Sequence, residues 1–279
     1  MSSATWVRPP AVADLFYPGQ KEALRATVDR LLNGARERKA KEDVLANIEI
    51  KSLVVPHAGY VYSGGVAARA YVELENLPKK RWKVFLLGPA HRVYVPYASV
   101  AAIQSYATPL GEVSISPVAR SLALKAGFVP TAHEQEHALE VQLPFLQQVL
   151  PDFEIIPMVI GGADYKDLAQ LITPHLDENS LLIISTDLSH FLSYKEAVAV
   201  DAVANKAVPA LDHEAFLTYG NACGKTGVLT AMHIAQSRQW TGHFLDYCNS
   251  GDTGPDRSRV VGYGAYAMGI ERVQREDIT

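Results

Sequence analysis

Several segments of the chain carry side chains that could do chemistry together. Leu53-Val54-Val55-Pro56-His57 is an apolar run that breaks at a proline and delivers a histidine. Val84-Phe85-Leu86-Leu87-Gly88 leads through Pro89-Ala90 to His91. Leu181 to Thr186 ends in Asp187-Leu188-Ser189-His190. If each run is a buried strand of one parallel sheet, its carboxyl end lies at the edge where ligands bind in open α/β folds. A single strand-end histidine is commonly structural. Three in one chain, each after the same kind of run, argue for a shared site. Neutral imidazoles beside a carboxylate suit metal binding and proton movement.

Cys223 lies in Asn221-Ala222-Cys223-Gly224-Lys225-Thr226, just before a helix-like stretch. A helix N-terminus and a nearby lysine favour the thiolate, which suits a metal ligand or a nucleophile. A small buried hydrophobe is the plainer reading. Cys248 reads as a packed strand residue. His137 and Glu140, in Glu136-His137-Ala138-Leu139-Glu140, are three apart and share a helix face. That face is either a solvated first turn or a wall of the pocket. His133, His175, His213, His233 and His243 lack comparable context and read as packing or surface residues. Other chemistries can be tested at the same motifs. The glycines at 59, 64 and 65 match neither dinucleotide nor phosphate loops. Gly224-Lys225-Thr226 lacks the upstream glycine, since position 219 is Tyr. The chain has no Gly-x-Ser-x-Gly elbow, and the spacing of His137 and Glu140 is not that of the His-Glu-x-x-His zinc peptidases.

These residues need a scaffold of alternating strands and helices. Strands are expected at 51–55, 84–88, 97–103, 155–161, 181–186, 243–248 and 262–270. Helices are expected at 21–38, 65–74, 117–126, 136–150, 166–176, 194–211 and 226–237, several with an apolar stripe at helical spacing. The continuous apolar character of the central runs predicts strands buried on both faces, in a mostly parallel, mixed sheet with helices on both sides. Residues 1–19 are Pro-rich and read as an extended arm on a single domain spanning 1–279. With 279 residues, 48% hydrophobic and 20% charged, the composition is that of an ordinary globular protein. A net charge of −4 gives no footprint for nucleic acid. No apolar run approaches the ~18 residues of a membrane span. The N-terminus does not read as a signal peptide, and two cysteines make no disulfide framework, so a cytoplasmic location is expected. The composition permits a homo-oligomer.

Taken together, Val-Val-Pro-His57-Ala-Gly-Tyr-Val-Tyr-Ser-Gly, Leu-Leu-Gly-Pro-Ala-His91, Glu136-His137-Ala-Leu-Glu140-Val-Gln-Leu-Pro, Ser-Thr-Asp187-Leu-Ser-His190 and Asn-Ala-Cys223-Gly resemble the Memo family, also called AmmeMemoRadiSam system protein B in prokaryotes. The opening Arg8-Pro9-Pro10 to Tyr17-Pro18 fits the same pattern, so the resemblance runs from Arg8 to about Ile270. It implies a fold similar to class III extradiol ring-cleaving dioxygenases, in which two histidines and a carboxylate hold iron(II). Carried over, it implies His57 and His91 as ligands, Cys223 in the carboxylate's place, and His190 as acid/base beside Asp187. His137, Tyr60 and Glu140 would contribute to the pocket, with His137 available for acid/base work. Two imidazoles and a thiolate fit copper or zinc, and iron less typically. The resemblance suggests copper, with iron(II) close behind. The leading expectation is a mononuclear metal oxidoreductase acting on a small substrate. The alternatives are a non-enzymatic peptide- or protein-binding member of a pathway, as some Memo proteins are thought to bind phosphotyrosine peptides, and a zinc hydrolase. Aromatic residues near the site (Tyr60, Tyr62, Tyr94) suit the peptide reading.

Overall fold

The computed structural model describes residues 6–272; of the expected arm, residues 1–5 lie outside the described part. In chain order the strands are β1 (Val7–Arg8), β2 (Ile48–Val55), β3 (Trp82–Pro89), β4 (Ala98–Val100), β5 (Ser105–Thr108), β6 (Gly111–Ser114), β7 (Phe153–Ile160), β8 (Ser180–Ser185), β9 (His190–Leu192), β10 (Thr241–Asn249) and β11 (Val260–Glu271). The main sheet runs β10-β11-β2-β8-β3-β7-β4, with β9 paired to β11. Its centre is parallel: β2 with β8, β8 with β3, β3 with β7. Its flanks, β10, β11 and β4, are antiparallel. A small sheet, β1-β5-β6, lies apart.

The apolar runs form strands because both of their faces are covered. Alternate residues of one strand enter different cores. Leu53, Val84, Leu86, Leu181 and Ile183 join one cluster with Leu24, Val28 and Leu32 of the helix Lys21–Lys41. Val54, Phe85, Leu87, Leu182 and Ile184 join the other with Leu168, Val228, Leu229 and Met232, which belong to helices Tyr165–Ile172 and Lys225–Ser237. Each such side chain contributes about 1.5–3 kcal/mol of apolar burial. This is the mixed α/β architecture with helices on both faces that the sequence predicts.

Local departures have physical causes. The expected helix at 136–150 divides into His137–Glu140 and Leu143–Val149. Pro144 has no N–H to continue the first segment's ladder, and its ring would press on the carbonyl four residues back. The helix after β2 begins at Tyr60 rather than Gly65, so both glycines lie within it. A Cβ on Gly64 would stand 2.8 Å from Leu31 Cδ1, so glycine there lets this helix lie close on Lys21–Lys41. A helix at His213–Tyr219, capped by the Asp212 carboxylate, carries too short a stripe to be expected.

Candidate metal centre

Parallel register brings the strand ends together: Val55 lies opposite Ser185, and Leu87 opposite Ile184. Beyond β2 and β8 the two segments stay joined. Thr186 N donates to Val55 O at 2.8 Å, and His57 N donates to Asp187 Oδ1 at 2.7 Å. The Cys223 segment closes on them. Cys223 N donates to Asp187 O at 3.1 Å and Gly224 N to Thr186 Oγ1 at 2.8 Å. A Cβ on Gly224 would meet Thr186 Cβ at 2.8 Å and Ser185 O at 2.9 Å, so this approach requires glycine.

Three imidazoles converge at this edge. Ring centroids are 5.1 Å apart for His57–His91, 5.2 Å for His57–His137 and 4.7 Å for His91–His137. One nitrogen from each lies within 4.8 Å of the others, close enough to hold a metal ion. His57 is buried, whereas His91 opens to solvent. Cys223 Sγ stands beside this group, 3.2 Å from His57 Nε2. The sequence anticipates His57 and His91 as a pair with Cys223. The geometry makes His137 the third member of the cluster.

Hydrogen bonding fixes the free nitrogens. Ser185 Oγ spends its one proton on Ala138 O, at 2.6 Å, and accepts from Gln142 Nε2 at 2.8 Å. The 3.0 Å contact to His57 Nδ1 must then be donated by the ring, so that once the ring gives up its second proton Nε2 is the lone-pair nitrogen. His91 Nδ1 donates to Glu136 Oε1 at 2.9 Å, which likewise frees Nε2. Such carboxylate and hydroxyl partners commonly orient metal-binding histidines. His137 Nδ1 is buried without a hydrogen-bond partner, although Glu136 Oε1 is 3.2 Å away. An orphaned ring nitrogen beside two oriented imidazoles and a thiol is a donor set that fits a transition metal.

Glu136 is the residue that sequence reasoning missed. Its carboxylate accepts from His91 N at 2.7 Å and from Ala138 N at 3.0 Å, so it caps the His137 helix and aims His91 together. The available signal was an acid at an N-cap beside a candidate ligand.

The charges reinforce one another. Burial would lower His57, but the Cys223 sulfur and the Asp187 carboxylate outweigh it and hold the imidazolium to about 9. Burial would raise Cys223, but His57 and His91 pull the thiol down to about 5. Burial would lower His91, yet Cys223 and Glu136 raise it to about 10. Burial and the neighbouring His57 charge keep His137 neutral.

Other expected site residues stand elsewhere. Glu140 does not line the crevice. Its fully buried carboxylate pairs with Arg8, accepts from Ala11 N at 2.8 Å and Val12 N at 3.1 Å, and binds the Tyr17 hydroxyl. Tyr60 is a core residue: its ring packs on Phe145 and its hydroxyl donates to Val141 O at 2.6 Å. Asp187 serves His57 through the backbone bond above rather than orienting His190. The buried Asp201 carboxylate nearby in sequence is engaged otherwise: it accepts from Ser189 N at 2.9 Å and from the Tyr247 hydroxyl at 2.8 Å. His190 is half-buried on β9, opposite Val261.

Comparison with known proteins agrees with the motifs. Residues 8–267 match the family described as Memo-like protein. A protein of Aquifex aeolicus called MEMO1 family protein is 36% identical over 271 residues, covering 92% of this chain and 97% of its own. Proteins of the same description from Methanobrevibacter smithii and Caldivirga maquilingensis are 35% and 32% identical, covering 93% and 94% of this chain and 98% of each of their own. With the motifs, the fold and these relatives in agreement, the chain belongs to the Memo-like family.

Proposed function

We propose that the protein is a mononuclear metal oxidoreductase that works on a small substrate at the sheet's carboxyl edge. The observation that carries this reading is the convergence of His57, His91 and His137 with Cys223 Sγ beside His57 Nε2. These four side chains would hold the ion, copper or iron(II), which would supply one-electron or oxygen chemistry when bound. Imidazole and thiolate donors suit copper in particular. The protein's own part is orientation. Ser185 and Glu136 fix two rings, and Asp187 fixes the backbone of His57. His190, half-buried at the same edge, is the group assigned to pass protons to a substrate. The exposed flank at His91 leaves a side for substrate to approach.

The test is reconstitution of metal-free protein with copper, iron(II) or zinc, followed by electronic and paramagnetic spectra. A thiolate-to-metal absorption band that disappears in Cys223→Ser is expected with copper. Uptake of zinc alone, with spectra indifferent to Cys223, would defeat the redox reading. The same three imidazoles also suit zinc with one open position, a hydrolytic site. Turnover of substrate that survives strict anaerobiosis would favour that second reading.

A further inference from the structure

The N-terminal arm reaches the imidazole cluster. The Phe16 ring lies 4.7 Å from the His137 ring, tilted by 42°. Phe16 is itself pinned, because its carbonyl accepts from Tyr60 N at 2.8 Å, at the first turn after His57. Upstream, the fully buried Arg8 donates from Nε to His133 O at 2.8 Å and from Nη2 to Glu136 O at 2.7 Å, and pairs with Glu140. Glu140 in turn holds Ala11, Val12 and Tyr17 of the arm. One short segment, 8–17, therefore grips both ends of the His137 helix and packs an aromatic ring on the histidine. His137 lacks the hydrogen bond that orients His57 and His91. The Phe16 face is an orienting contact of a different kind.

We infer that Phe16 is a positioning residue of the metal centre: it holds the His137 imidazole for the ion by ring packing, where the other two rings are held by hydrogen bonds. This rests on the reading of the three imidazoles as a metal site. Loss of the ring should free His137 to rotate and weaken binding in the range of outer-shell changes, about tenfold or more.

Zinc affinity measured against a chromogenic chelator tests it, in a cycle of Phe16→Ala and Phe16→Leu with and without His137→Ala. Leu15→Ala, at an exposed neighbouring position, serves as control. Phe16→Ala should weaken zinc binding about tenfold, Phe16→Leu should retain most of it, and neither should matter once His137 is Ala. Equal losses in both backgrounds, or none, would overturn the assignment. The His137 ring-proton resonances of metal-free protein give an independent arm. They should shift when Phe16 becomes Ala, and unmoved signals would contradict the packing role. If the parent protein takes up no metal, the metal reading fails by itself, and these resonances still decide whether Phe16 packs on His137.

Discussion

At the scale of single residues, the thiol–imidazole pair sets the most specific expectation. Cys223 and His57 stabilise each other's charged forms, with the thiol drawn to about 5 and the imidazole raised to about 9. In metal-free protein the pair is therefore thiolate–imidazolium between those values. Alkylation of Cys223 by iodoacetamide, followed by mass spectrometry, should stay fast at pH 6 and fall only as pH drops through about 5. In His57→Gln the midpoint should rise toward the ordinary thiol range near 8.5. A midpoint near 8.5 in the parent would contradict the pairing. His57 and His91 were legible because each follows an apolar run and a proline, and Cys223 because it precedes a helix. Glu136 was not, since its partner His91 is distant in sequence and only folding brings them together. Glu140 shares a face with His137, as its spacing implies, but that face meets the arm: Phe16 covers His137, and Arg8 and Tyr17 cover Glu140. Spacing gives the face and says nothing of what lies against it.

At the scale of elements, the strands were legible and the connections less so. The runs Leu53–Val55, Val84–Leu87 and Leu181–Ile184 specify parallel strands because nothing polar interrupts their burial. Helix ends depend on subtler chemistry, such as Pro144 dividing one expected helix into two. The arm is the element whose importance the sequence least reveals, since extended Pro-rich segments carry no periodicity. Its anchor can be tested by itself. Arg8→Ala leaves the Glu140 carboxylate buried without its cation, a change that costs about 3 kcal/mol or more. Urea denaturation should show that loss, with partial recovery when Glu140→Gln is added. A change below about 1 kcal/mol would mean that the arm is not anchored through this pair.

At the scale of the whole molecule, the sheet places its chemistry at the parallel strands' carboxyl edge and its stability in the two cores behind it. None of the described helices is long and apolar enough to cross a membrane. Acid stability should be governed in part by His133, buried between Tyr106 and Ser99. Burial, helped by the Arg8 charge, lowers it to about 3. The unfolded chain takes up a proton near pH 6.5 that the folded chain refuses until about 3, so stability falls as pH drops through that window. The slope should approach about 1.4 kcal/mol per pH unit. Chemical denaturation between pH 7 and 4 should show this slope, and His133→Gln should flatten it; an unchanged slope in the variant would assign the loss elsewhere. The central claim, however, is the metal centre itself. Its most direct test is metal titration of metal-free protein beside His57→Ala, His91→Ala and His137→Ala. One ion per chain is expected, with each substitution weakening binding by more than the roughly hundredfold reached by outer-shell changes. Full-strength binding in His137→Ala, or no binding by the parent protein, would contradict the account.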